Sequence, residues 1–306
     1  PLGGPGRNVV LTIAPNQSVG ATVDALARDG VISSSFFFRV DDVLQGNPTV
    51  EPGSYLFRAN QPFSTVRAIL ARGPDISTLV VPEGFSLSEV AQRVTDLLPT
   101  RPVGSFLRAE QGGAVSSPYE IPGSNNLEGT IAPGTYRVLP GETSVALLRQ
   151  MVDRFDRQAA GLGLPAAAGA LGVTPAQLVV VASIVEKEGE YPKNMGKVAR
   201  VVFNRLKAGS PLQMDSTVLY ALGQDGGPVT AADLALRSPY NTYLHTGLPP
   251  TAICTPSRTA LVSAAHPTPG AWLYFQLVSK DGTEQFSDTY AEQLAAEALA
   301  KSRGLP

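Results

Sequence analysis

The sequence predicts an α+β fold in two parts. A duplicated N-terminal half is built of small strand–helix units, and a mixed, helix-rich C-terminal half closes on a β-hairpin. Three observations predict it. Segments 9–73 and 79–157 repeat one order of strand, helix, aromatic-rich piece, strand and helix. A Gly- and Pro-containing stretch, 161–173, follows them. From Thr174 onward apolar residues recur at helical spacing until a strand–turn–strand pattern over 271–287.

In the first unit an apolar strand begins at Val9 and ends at Pro15, which cannot continue a ladder. Asn16, Gln17 and Ser18 then open a helix with Val19, Val23, Leu26 and Ala27 on one face. The second unit does the same. Leu79, Val80 and Val81 stop at Pro82, Ser86 is an N-cap candidate, and the helix buries Leu87, Val90, Ala91 and Val94. Residues 36–39 and 106–108 are the aromatic-rich pieces, and a strand starts after Pro52-Gly53 in one unit and Pro133-Gly134 in the other. Short closing helices carry Phe63, Val66, Ile69 and Leu70, then Val145, Leu147, Leu148 and Met151. A Gly/Ser/Asn-rich insertion over 110–127 should be a loop. Residues 1–8 read as a tag or linker. The expected boundaries are therefore 9–78, 79–160, a flexible connection at 161–173, and 174–306.

In the C-terminal half, Thr174, Pro175 and Gln177 form a capping box with proline at the first helical position. That helix should end at Lys187 or Glu188, before Gly189. It is apolar almost all round, so it should be a buried central helix. A second helix spans about 194–208 and a short one follows Asp215 as far as Gly223. Another turn of helix covers 230–236, whereas 238–256 has no helical period. Residues 271–278 and 284–287 read as a hairpin, and Asp288 as the cap of a last helix to about Ser302.

Composition narrows the chemistry. The net charge is −2 and charged residues are 16% of the chain, so no basic excess points to nucleic acid. One cysteine, Cys254, and two histidines, His245 and His266, exclude a disulfide framework and a Cys/His zinc site. No metal and no cofactor is expected. The longest apolar stretch, 178–185, is far short of the roughly 20 residues of a membrane span. Carboxylates, hydroxyls and amides remain.

The informative stretch runs from Ser183 to Glu190 and holds three glutamates, Glu186, Glu188 and Glu190. Such a cluster is commonly a solvated helix end. Glu188, however, lies four residues after Ile184 and three after Val185, on the apolar face, whereas Glu186 points away. Burial and the negative end of the helix dipole should both raise its pKa, as a general acid near neutral pH requires. Asp215 reads first as the N-cap of the helix behind it and second as a base or nucleophile for glycoside hydrolysis. Gln213 shares its loop. Pro239, Tyr240, Asn241, Thr242 and Tyr243 form a polar-aromatic loop suited to sugars, although such loops are more often plain surface turns. The histidines and Cys254 read as structural, and the basic run from Lys187 through Arg205 to Lys207 as solvated helix faces.

From Thr174 to the C-terminus these segments resemble the endolytic murein transglycosylases of the MltG (YceG-like) family. The motifs are Ala182 through Glu188, Val202-Phe203-Asn204-Arg205-Leu206, Leu212 through Val218, Tyr240-Asn241-Thr242-Tyr243, Gly247-Leu248-Pro249-Pro250 and Leu273-Tyr274-Phe275. In the N-terminal half, Pro82-Glu83-Gly84 and Leu127-Glu128-Gly129 fit the family pattern, and the repeat looks like its LysM-like region. Three positions depart: Gly189, Gly134 where the family has Asp, and Thr255-Pro256 where it has Asn-Pro. The resemblance implies a YceG-like catalytic domain and cleavage of MurNAc-β-1,4-GlcNAc bonds within glycan strands, leaving 1,6-anhydromuramoyl ends and limiting nascent strand length. It implies Glu188 as the catalytic residue, with Asn204, Gln213, Asp215, Tyr240, Asn241, Thr242 and Tyr243 around the sugar. It also implies peptidoglycan strands and cell-wall synthases (penicillin-binding proteins) as partners. The expected location is the outer face of the cytoplasmic membrane, through an anchor upstream of residue 1. A muramidase using Glu188 and Asp215 and a non-catalytic peptidoglycan-binding module are the alternatives.

Overall fold

The structure is a computed structural model describing residues 6–45, 50–75, 77–98, 103–139, 142–189 and 191–305. The first five residues of the expected linker, and Glu190, lie outside them. The chain is a mixed α+β protein, and among the described residues its sheets are all two-stranded. It forms two compact units. One comprises Pro1–Val81, Ala91–Phe106 and Thr135–Leu147, and the other Pro82–Val90, Leu107–Gly134 and Leu148–Pro306.

In the first unit β1 (Asn8–Ile13) pairs antiparallel with β2 (Gly53–Arg58), from Asn8 opposite Arg58 to Ile13 opposite Gly53. Alternation sets the faces: Leu11, Ile13, Tyr55 and Phe57 are buried, whereas Val10 and Leu56, directly opposite each other, are exposed. Helix α1 (Val19–Arg28) is capped by Ser18, whose side chain accepts from the Ala21 N–H. It buries Val23 and Leu26 as expected, but with Thr22 and Ala25. The aromatic piece at 36–39 belongs to a helix, α2 (Ser35–Gln45). Phe38 points inward against Phe63 of α3 (Phe63–Arg72), while Phe36 and Phe37 stay outside.

A second sheet joins β3 (Ser77–Val81) to β4 (Gly134–Val138). Helices α4 (Leu87–Leu97) and α5 (Val103–Gln111) lie between these strands in the chain, and α6 (Ser144–Gly161) follows. The order strand–helix–helix–strand–helix thus occurs twice. The last helix of the second run is 18 residues long rather than short.

The second unit is built around α8 (Pro175–Glu188). The Thr174–Gln177 capping box starts it, and every residue from Leu178 to Val185 is buried. Burying each Leu, Val or Ile there contributes about 1.5–3 kcal/mol. Helices α7 (Leu164–Leu171), α9 (Pro192–Lys207), α10 (Asp215–Leu222) and α12 (Arg258–Ala265) pack against it. A small α11 (Ala231–Leu234), the hairpin β5 (Tyr274–Leu277) and β6 (Glu284–Ser287), and α13 (Tyr290–Ser302) complete the unit.

Three local expectations are corrected. The stretch expected to be a flexible connection contains α7. Pro165 sits in its first turn, where no N–H is needed, and Gly163 and Gly172 cap it in the left-handed conformation. Helix α12, started by Ser257, follows a stretch without helical period and has no counterpart in the sequence reading. The cap of α13 is Thr289, in a capping box with Glu292, rather than Asp288. Among the described residues no single helix is long and apolar enough to cross a membrane.

Candidate active site

Glu188 is the last residue of α8, and its carboxylate meets the start of α10. The Ser216 N–H donates to Glu188 Oε1 at 3.1 Å. Two local devices create this meeting. Gly189 ends α8 by returning its N–H to the Val185 carbonyl. Ahead of α10, Gln213 is held at φ +51°, a left-handed conformation that costs energy for any side chain but glycine. That conformation is fixed by its N–H bond to the Thr242 carbonyl and by Arg205 Nη1, which donates to Gln213 Oε1 at 3.1 Å. The Met214 N–H then donates to Thr242 Oγ1, which also contacts Thr217 Oγ1 at 2.9 Å.

The surroundings of Glu188 pull its proton both ways. Burial pushes its pKa up, and the nearby Asp215 carboxylate adds to that. Hydrogen bonding from Ser216 and the Arg205 guanidinium pull it down, and the net result is raised. Position on helices repeats the contest. The C-terminal end of α8 disfavours the anion, whereas the N-terminal end of α10 favours it. Asp215 itself is exposed, and its Oδ1 accepts from Tyr243 OH at 2.6 Å.

Glu188 lines a cleft of about 960 Å³ whose walls all belong to the second unit. Asp215, Ser216, Tyr220 and Tyr240 share it, as do Glu83, Glu128 and Glu186. Glu128 is 6% exposed. The Leu87 N–H, at the start of α4, donates to both its oxygens at 2.9 and 3.1 Å, and Tyr220 OH donates to Oε2 at 3.0 Å. Burial drives its pKa up to about 7 against those bonds. Its loop comes this close because Gly129, at φ +82°, has no Cβ to strike Ala252 and Val179. The Tyr220 and Tyr240 rings lie 4.9 Å apart, and the Tyr240 hydroxyl is tied to Thr251 Oγ1 at 2.7 Å. Among the described residues no group of three or more His, Cys, Asp or Glu side chains is arranged to hold a metal ion.

Of the residues singled out in the sequence, Glu188, Asp215 and Tyr240 come together on the cleft, and Tyr243 joins them through Asp215. Asp215 is not the cap of α10. Met214 occupies that position, and Asp215 is the first helical residue. Gln213 is exposed and bonded to Arg205. Asn204, Asn241 and Thr242 are not among the lining residues. The Asn204 amide donates to the Gly270 and Trp272 carbonyls, and the fully buried Asn241 donates to those of Leu234 and Leu236. Glu186, expected on the side opposite Glu188, lines the same cleft and accepts from the Ser257 N–H that opens α12.

Arg205 is corrected most sharply. Read as part of a solvated face, it is 8% exposed and donates to the Leu212 and Leu273 carbonyls, both at 2.6 Å. Cys254 is fully buried. The sequence reading gave no site role to Glu128, Tyr220, Ser216 or Arg205. Glu128, Ser216 and Arg205 carried one signal, membership of motifs, and Tyr220 carried none, because nothing in spacing places residue 128 beside residue 220.

Fold and cleft together define an α+β protein that presents two desolvated carboxylates of raised pKa, Glu128 and Glu188, among acidic and aromatic walls, equipment for general acid–base chemistry. The chain belongs to the YceG-like family, whose model matches residues 11–298. It is similar to an endolytic murein transglycosylase of Bacillus subtilis (strain 168), with 27% identity over 304 residues covering 94% of this chain and 84% of that protein. One of the same name from Streptococcus pneumoniae (serotype 2) is also 27% identical. There the match covers 85% of this chain, and the chain spans about half (52%) of the relative's length. A crystal structure of a YceG-like protein from Listeria monocytogenes shares the fold. Its TM-score is 0.73 at 23% identity, covering 94% of this chain and 98% of that one.

Proposed function

We propose that this chain is an endolytic murein transglycosylase, a lyase that cuts peptidoglycan glycan strands internally. The observation that carries the reading is the placement of Glu188: desolvated, with raised pKa, on the cleft and at the meeting of two helix ends. The two homologues named for this activity support it. Glu188 protonates the oxygen leaving the MurNAc-β-1,4-GlcNAc bond. As a carboxylate it then takes the proton of the muramoyl 6-hydroxyl while that oxygen attacks the anomeric carbon. The product is a 1,6-anhydromuramoyl end. One carboxylate suffices because the nucleophile belongs to the substrate.

Tyr240 and Tyr220 offer ring faces to the sugar, and Asp215, Gln213 and Tyr243 lie around its reacting end. Asn204, Asn241 and Thr242 act through the loops they hold. The two strand–helix–helix–strand–helix segments are read as LysM-like glycan-holding lobes. Action on peptidoglycan puts the protein outside the cytoplasm. An N-terminal membrane anchor and partnership with cell-wall synthases complete the proposal.

Mass spectrometry of digested peptidoglycan tests it. Wild-type protein should release muropeptides with anhydro ends, and Glu188→Gln none. A hydrolase using Asp215 to activate water would leave reducing ends one water heavier. Near-wild-type turnover by Glu188→Gln would remove the assignment.

A further inference from the structure

We propose that Asp215, anchored by Tyr243, is a positioning residue that keeps Glu188 loaded with its proton between turnovers, rather than a base or nucleophile. The inference rests on the lyase reading above and gives Asp215 a task besides lining the cleft.

The geometry carries it. Asp215 opens α10 one residue before Ser216, whose N–H holds Glu188 Oε1. The backbone that fixes Glu188 therefore also fixes where the Asp215 charge sits. The Asp215 side chain is spent on Tyr243, whose hydroxyl donates to Oδ1 at 2.6 Å. A carboxylate already accepting a short bond from a phenol is held in one place, so its oxygens are not free to orient an attacking water. Tyr243 is half-buried, and its own hydroxyl proton is held firmly, since burial and Asp215 both push its pKa far up. It remains a donor at every working pH.

Glu83, Glu128, Glu186, Lys187, Tyr220 and Tyr240 line the same cleft, and the groups that act on Glu188 from neighbouring segments are three. Asp215 on α10 opposes ionisation, Arg205 on α9 favours it, and Tyr243 on the 238–256 loop stays neutral. Arg205 cannot withdraw, because it is buried and bonded to backbone carbonyls on both sides. Desolvation disfavours the anion. Against that fixed cation and the Ser216 N–H, Asp215 is the charge that tips the balance further toward the acid form. The double function of Glu188 follows. It is protonated before the bond breaks, yet the Ser216 N–H and Arg205 stand ready for the carboxylate once the proton has left.

The test is the pH profile of kcat/KM for strand cleavage by the full chain, with product masses read in parallel. A general acid must be protonated in the free enzyme, so activity falls on the alkaline side as Glu188 ionises. Removing a neighbouring anion eases that ionisation, so Asp215→Asn should move the alkaline limb to lower pH. Relative to its own activity at pH 5, Asp215→Asn should lose about fivefold more than wild type by pH 8. Tyr243→Phe, which frees Asp215 to swing into solvent, should move the limb the same way by less. Both variants should still yield only anhydro ends.

An unshifted limb in both variants, with Glu188→Gln inactive, overturns this inference and leaves the lyase reading intact. Reducing ends from wild-type protein that vanish in Asp215→Asn overturn it in favour of a water-activating base. An active Glu188→Gln overturns both readings. If Asp215→Asn unfolds, Tyr243→Phe alone decides by the same criterion.

Discussion

Two glutamates line one cleft and have met opposite fates. Around Glu128 the chain closes: an α4 N–H, a tyrosine hydroxyl and a glycine-tight loop leave it 6% exposed. Around Glu188 the chain stays half open, with one backbone N–H on the carboxylate and an anion and a cation balanced beside it. Both are desolvated and both have raised pKa values, so a perturbed pKa does not separate the proposed catalytic group from its neighbour. What separates them is access, and whether the partners suit both protonation states.

The comparison is broken most severely at Glu188. Glu188→Gln keeps the shape and the Ser216 bond but carries no proton to give, and turnover should fall by at least about 10³-fold. Its thermal midpoint should stay at or above wild type, read by calorimetry. Glu128→Ala should do the reverse. It orphans the Leu87 N–H and the Tyr220 hydroxyl, at a cost of about 3 kcal/mol in denaturant unfolding, while catalysis per folded molecule survives.

Glu128→Gln sharpens the point through pH. A carboxyl whose folded pKa is about 7, above its unfolded value, contributes stability that is full below the unfolded pKa and is lost as pH rises to 7. Wild-type stability should therefore decline across that window by up to about 3 kcal/mol relative to Glu128→Gln, then run parallel above it. Equal pH slopes for the two proteins would refute the assignment. Tyr220→Phe is the mildest change. It removes one hydrogen bond worth about 1 kcal/mol and loosens a ring on the cleft, so KM should rise more than kcat falls.

Much of the fold was legible because its signals are local. The Thr174–Gln177 box, the all-round apolar α8 and the Gly189 stop are each read within a few residues, and the structure has all three. The repeated strand–helix order was legible for the same reason. Helix α12 was not. Its entry stretch has no helical period, and its first N–H is satisfied by Glu186, 71 residues earlier in the chain. The α7 stretch misled because Gly and Pro punctuate both loops and helix ends.

By itself the sequence pointed to carboxylate chemistry and, through helical spacing and the family resemblance, to Glu188, the residue proposed as the acid. With two histidines and one cysteine few other groups remain, and helical spacing alone puts Glu188 on the apolar face of a buried helix. Only the tertiary structure decided what surrounds it. Asp215 turned from a helix cap into a charge beside Glu188, Arg205 from a solvated cation into a buried brace, and Glu128 from a motif letter into a cleft wall. The reason is physical. Helix periodicity is written into neighbouring residues, whereas a pKa, a hydrogen bond across 92 positions or the loss of water depends on segments the chain brings together only by folding.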